Sequence, residues 1–75
     1  MKVFKGVDGA EWQVAVGRES WGGFVAILSQ SRGSDPPRQA PLKGRSMEEA
    51  YAEIAEMDQD ELQALLERSQ ATPMG

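Results

Sequence analysis

The sequence predicts an α+β domain: a three- or four-stranded antiparallel sheet followed by a kinked or split C-terminal helix packed on one face. Three observations predict it. Polar and apolar residues alternate over 11–16, residues 24–28 are apolar at every position, and from Met47 onward apolar residues recur every three or four positions. With 75 residues the chain has room for one core, so 1–75 is read as a single small domain. Residues 1–30 form a β-hairpin plus a third strand, 31–45 a Pro/Gly-rich loop with a candidate edge strand, 46–69 the helical part and 70–75 a frayed tail.

Val3-Phe4-Lys5-Gly6-Val7, the pair Asp8-Gly9 and the alternating run 11–16 together read as a hairpin. Register is open to two readings. A strict two-residue turn puts Phe4 on the face opposite Trp12, whereas a bulge shifts the pairing by one and gathers Phe4, Trp12, Val14 and Val16 on one face. The bulged register is favoured because it unites the large apolar side chains and sets Lys5 opposite Glu11. After the glycines of 17–23, the run Phe24-Val25-Ala26-Ile27-Leu28 is expected to be the central strand. Successive side chains point to opposite faces, so Phe24, Ala26 and Leu28 line one layer only if Val25 and Ile27 line the other. A helix can shield one of those layers; the second is a natural place for a partner.

Residues 31–44 have the composition of a solvent loop, with Arg38-Gln39-Ala40-Pro41-Leu42 as a short strand confined to the rim by its proline. Ser46 and Glu49 have capping-box spacing ahead of Met47, Ala50, Tyr51, Ile54 and Met57. Asp58 and Glu61 repeat that spacing ahead of Leu62, Leu65 and Leu66, which predicts two helical pieces with a break near 57–59. Trp12 and Tyr51 are assigned to the core.

Composition excludes a good deal of chemistry. There is no cysteine and no histidine, which removes disulfides, thiolate and imidazole metal sites, Cys nucleophiles and Ser/His/Asp triads. A domain this short gains its margin of stability from disulfides, a metal or another chain, and the first two are closed to it. A protein partner or a homodimer is therefore expected. No run approaches the roughly 20 apolar residues of a membrane span, and Met1-Lys2-Val3-Phe4 lacks the apolar stretch of a signal peptide, so a cytoplasmic, non-membrane protein is expected. The net charge is −4, but it is divided unequally. Residues 1–45 carry seven basic and four acidic side chains, and residues 46–75 one basic and eight acidic.

Candidate sites are weighed against that background. The acids of 48–61 lack the Gly-centred turn and distal Glu of a calcium loop, so they read as a solvated helix face with acidic caps, and no metal is expected. No Gly-rich phosphate motif occurs, no desolvated pair of carboxylates is indicated, and neither cofactor, small-molecule substrate nor enzymatic activity is expected. The candidate interaction residues are Val25 and Ile27 on the uncovered sheet layer and Glu49, Glu53 and Glu56 on the acidic helix. Arg18, Trp21 and Arg38, together with Arg32, Lys43 and Arg45, are the basic and aromatic set able to meet RNA; they are spread over loops beside an acidic helix, which disfavours nucleic acid. Trp21, in its Gly-rich turn, is open to two readings: an exposed binding anchor, or a ring folded back over the sheet edge.

The segments Asp8-Gly9-Ala10-Glu11-Trp12-Gln13-Val14, Gly17-Arg18-Glu19-Ser20-Trp21-Gly22 and Glu61-Leu62-Gln63-Ala64-Leu65-Leu66-Glu67-Arg68-Ser69 together resemble a family of short uncharacterised bacterial proteins, over most of the chain. That resemblance implies a bacterial cytoplasmic origin and a β-then-α order, and supplies no mechanism. A partial resemblance links the hairpin of 12–28 and Gly44-Arg45-Ser46-Met47-Glu48-Glu49-Ala50 to the HicB-type antitoxins, and implies toxin neutralisation. That family's Pro-Asp-Leu-Pro-Gly-type segment is missing, and no separate DNA-binding domain is expected. The sequence thus points to a non-enzymatic interaction module that binds a protein partner or itself, with an RNA-binding or HicB-like antitoxin protein as the alternative.

Overall fold

The computed structural model describes residues 2–19, 22–32 and 36–71. Five strands, β1 (Lys2–Lys5), β2 (Glu11–Arg18), β3 (Phe24–Gln30), β4 (Arg38–Pro41) and β5 (Gln70–Ala71), form one antiparallel sheet in the order β1-β2-β3-β4-β5. Two helices, α1 (Met47–Ala55) and α2 (Gln59–Arg68), lie between β4 and β5 in sequence. The sheet followed by a split helix agrees with the expected α+β class. The fifth strand is additional: Gln70 and Ala71, in the stretch expected to be patternless, pair with Gln39 and Arg38.

The hairpin adopts the bulged register, with Phe4 opposite Trp12 and Lys5 opposite Glu11. Its turn explains why. Gly6 N donates to Ala10 O at 2.8 Å and Gly9 N to Gly6 O at 3.0 Å, which leaves a three-residue loop ending in Gly9 at φ +86°. This is a type I turn followed by a left-handed residue, the combination that inserts one extra residue and matches strand twist, and glycine occupies it without steric cost. Asp8 Oδ1 accepts from Ala10 N at 3.1 Å and holds the turn closed.

With that register fixed, Phe4, Trp12, Val14, Ala26, Leu28 and Ala40 share one face of the sheet and meet Ile54 of α1 and Leu62 and Leu65 of α2 in a single core. Helix α1 lies over β2 and β3, while α2 reaches from β1 to β4. Two caps set the helix starts. Ser46 Oγ accepts from Glu49 N at 3.1 Å, and Asp58 Oδ1 accepts from Glu61 N at 2.9 Å. The break between helices falls where Asp58, extended at ψ −178°, takes up the second cap.

Pro41 sits in β4 without breaking the sheet. Leu42 N donates to Phe24 O, so the nitrogen of the preceding residue points to the outer side of β4, where the two-residue β5 pairs only with Arg38 and Gln39. The strand expected at the rim is thus not an edge strand, because β5 lies beyond it; the proline is accommodated because β5 stops short of Pro41.

Tyr51 is not a core residue. It is 52 % exposed, against 6 % for Trp12. The sheet-facing line of α1 runs through Ala50 and Ile54, which rotates Met47 and Tyr51 to its flank. Truncation should separate the two aromatics: Trp12→Ala is expected to cost about 3–5 kcal/mol in urea unfolding, and Tyr51→Ala about 1 kcal/mol or less. Gly44 lies against the start of α1, where an added Cβ would stand 2.7 Å from Ala50 N and 2.9 Å from the Glu49 carbonyl carbon. Because backbone cannot swing aside as a side chain does, Gly44→Ala is expected to cost about 1–3 kcal/mol by the same measurement.

Candidate interaction surface

Both helices sit on one side of the sheet, and among the described residues no element covers the other side. Strand alternation places Val3, Ala15, Gly17, Val25 and Ile27 on that bare face, with Gln13, Ser29, Gln39 and Gln70 around them. Of the strand positions facing this way only Lys5 and Glu11 are charged, and they lie directly opposite one another. Val25 is 7 % exposed between its cross-strand neighbours Gly17 and Pro41, Ile27 is half-buried, and Val3 at the edge is 51 % exposed. Gly17 has a local role here. A Cβ on it would overlap Ile27 Cδ1 and stand 3.0 Å from Ile27 Cγ1, so glycine lets the isoleucine lie flat across the strand. The centre of the bare face is apolar and low, its rim neutral and amide-rich.

The acidic candidates fare differently. Both carboxylate oxygens of Glu53 accept from Lys43 N, at 2.9 and 3.1 Å, and its Oε1 also accepts from Gly44 N at 2.9 Å. Glu49 Oε1 accepts from Arg45 N at 3.2 Å. These side chains latch the β4–α1 loop to the helix by charge-assisted hydrogen bonds, so two of the three proposed contact residues serve their own chain. Glu56 is exposed and lines, with Glu49, Glu53 and Glu61, a groove of about 600 Å³ between the helices, floored by Ala52 and Ala64. Among the described residues no group of three or more His, Cys, Asp or Glu side chains is placed to hold a metal ion.

The basic candidates are not brought together. Arg18, over the Phe24 ring at 5.7 Å from guanidinium carbon to centroid, pairs with Phe24 at one end of β3, while Arg38 pairs with Leu28, four residues further along. Arg38 is committed: its Nε donates to Ser69 Oγ at 2.7 Å and its Nη2 to Ser69 O at 2.6 Å. Ser69 is the C-cap of α2 and is buried, and its hydroxyl donates in turn to Leu66 O. Arg38 thus clamps the end of α2, and the start of β5, to β4. Trp21 lies outside the described residues.

Sequence reasoning missed the flank of α1. Tyr51, Ile54, Ala55, Val14, Val16 and the stem of Lys2 line a mainly apolar depression of about 320 Å³. Its one signal, an apolar stripe wider than the core needs, is the same signal that assigned Tyr51 to the core. Lys2 Nζ donates to Ala55 O at 2.9 Å and Met57 O at 2.7 Å, supplying the cation that the last turn of α1 otherwise lacks. Trp12 Nε1 is buried with no acceptor among the described residues.

Compared with protein-family models, with curated proteins and with solved structures, the chain finds no match. None of its helices, among the described residues, is long and apolar enough to cross a membrane. The site is therefore read from geometry alone, and that geometry makes three side chains structural that the sequence offered as contacts, Arg38, Glu49 and Glu53. Arg38→Ala is expected to lower stability by about 1.5–3 kcal/mol, because it leaves the buried Ser69 groups without their charged donor. Glu53→Gln is expected to cost about 1 kcal/mol by weakening the bonds from Lys43 and Gly44. Both are measured by denaturant unfolding monitored through Trp fluorescence.

Proposed function

We propose that the chain is a non-enzymatic interaction module that binds protein through the face of the sheet its helices leave bare. The observation that carries the reading is the make-up of that face: an apolar centre of Ala15, Gly17, Val25 and Ile27 with Gln13, Ser29, Gln39 and Gln70 around it, and charge confined to the margins, Lys5 opposite Glu11 at one end and Glu19 and Arg68 near Val25 at the other. A sheet face meant for water is ordinarily rich in charge, whereas depletion of charge around an apolar centre is the compositional mark of an interface. The rival surface, the acidic side of α1, has Glu49 and Glu53 drawn into the β4–α1 loop. Arg18 and Arg38 stand four residues apart along β3, with Arg38 bound to Ser69, which gives a nucleic-acid reading little to work with.

The absence of cysteine permits a direct test. Single cysteines at Ser29, on the bare face, and at Glu48, on the exposed start of α1, are each given a photo-crosslinker and irradiated in cells. Protein adducts from Ser29→Cys and none from Glu48→Cys are expected. Adducts from Glu48→Cys alone move the interaction to the acidic helix and refute the assignment, and adducts with RNA in place of protein refute the binding class.

A further inference from the structure

The same face carries a statement about its occupant, which rests on the reading just given. We infer that the partner is a second copy of this chain, the two sheets stacked bare face to bare face about a two-fold axis.

Charge is the first ground. The chain carries −4 overall, and its helical part alone eight acidic side chains against one basic. Two copies approaching through their helices would bring like charge together. The bare face presents Lys5 opposite Glu11 at one end and, beside Val25, Gln39, Pro41 and Gln70 at the other, Glu19 and Arg68, two charges of each sign, so two such faces meet without net repulsion. A strongly basic or acidic partner, conversely, finds no net charge on this face to attract it.

Shape is the second. The molecule is a slab of 32 × 31 × 18 Å, and one of its broad sides is the bare face. A stable interface takes about 800 Å² from each partner, an area that fits within a side of those dimensions. With Ile27 lying flat over Gly17, no side chain stands tall at the centre, which suits the spacing of about 10 Å at which sheets stack. A two-fold interface must be self-complementary, and amides and hydroxyls such as Gln13, Ser29, Gln39 and Gln70 satisfy that condition because each both donates and accepts.

The third ground is the edge. Edge-to-edge pairing through β1 is hindered, since Lys5 O accepts from Gln59 Nε2 and Val7 N donates to Gln63 Oε1 at 3.2 Å, both glutamines belonging to α2. Face-to-face stacking leaves those bonds intact.

The test is sedimentation equilibrium of the full chain across a concentration series, with circular dichroism to confirm folding. The wild type is expected at twice the mass of the chain. Ile27→Arg, and the milder rim substitution Ser29→Arg, are expected to give folded monomers, with association weakened about a hundredfold because the two-fold axis places each new charge in the interface twice. Glu56→Lys and Tyr51→Arg, on the helical side, are expected to leave the dimer unchanged. A wild type that stays monomeric at submillimolar concentration overturns the second copy alone, leaving the bare face open to a different protein. A dimer that survives both Ile27→Arg and Ser29→Arg but dissociates with Tyr51→Arg overturns the second-copy arrangement and the assignment of the bare face together. Should Ile27→Arg fail to fold, Ser29→Arg decides.

Discussion

One covering layer for a two-sided sheet is the constraint on which the rest depends. The sheet is led by a strand with large apolar residues pointing both ways, and among the described residues only α1 and α2 shield them. Once the hairpin register places Phe4, Trp12 and Val14 on the side of Ala26 and Leu28, both helices are drawn there, because that is where the apolar surface to be buried is concentrated. Burial of Ile54, Leu62 and Leu65 against that side is then incompatible with any cover for Ile27. Which face is left bare is thus a consequence of register, fixed by a three-residue turn at Gly9.

Polar side chains tie the two layers at their margins, where the core is thin. Lys2 reaches the C-terminal carbonyls of α1, Gln59 and Gln63 reach the outer groups of the hairpin, Glu53 collects two amides of the β4–α1 loop, and Arg38 holds the cap of α2. Each bond joins groups far apart in sequence or closes a loop, and each satisfies a backbone or capping group that packing alone would leave unpaired. Together they divert the more conspicuous charged residues from any outward role. For a small core, a half-buried charge is more useful as a tie than as a contact awaiting a partner.

That division accounts for what the sequence made legible. Local patterns were readable: the alternation in β2, the two caps at Ser46 and Asp58, and the bulge implied by bringing Phe4 and Trp12 together. So was the pairing of Val25 with Ile27 on the side away from the helices, because period two is a property of the strand itself. Tyr51 was misplaced for a different reason. Helical periodicity marks a stripe, but which edge of the stripe faces the sheet depends on where α1 crosses β2 and β3, and that is set by tertiary contacts. The short β5, and the ties through Arg38 and Glu53, are likewise invisible locally. They exist because α2 ends beside β4 and α1 begins beside Gly44, neither of which any run of residues announces.

The exposed groups that remain sort by chemistry into two unlike sides. The helical side is acidic, carries the apolar depression beside Tyr51, and repels its own kind; the charges of the sheet side balance. A molecule so divided has a preferred direction for self-association, and stacking through the neutral side would turn both acidic sides outward, where their charge opposes further aggregation. The ties from Gln59 and Gln63 at the β1 edge act in the same sense, since they occupy backbone groups through which sheets would otherwise extend sideways. The proposed pairing through one face, with growth discouraged at the edge and at the far face, is what this placement of charged and amide side chains would favour.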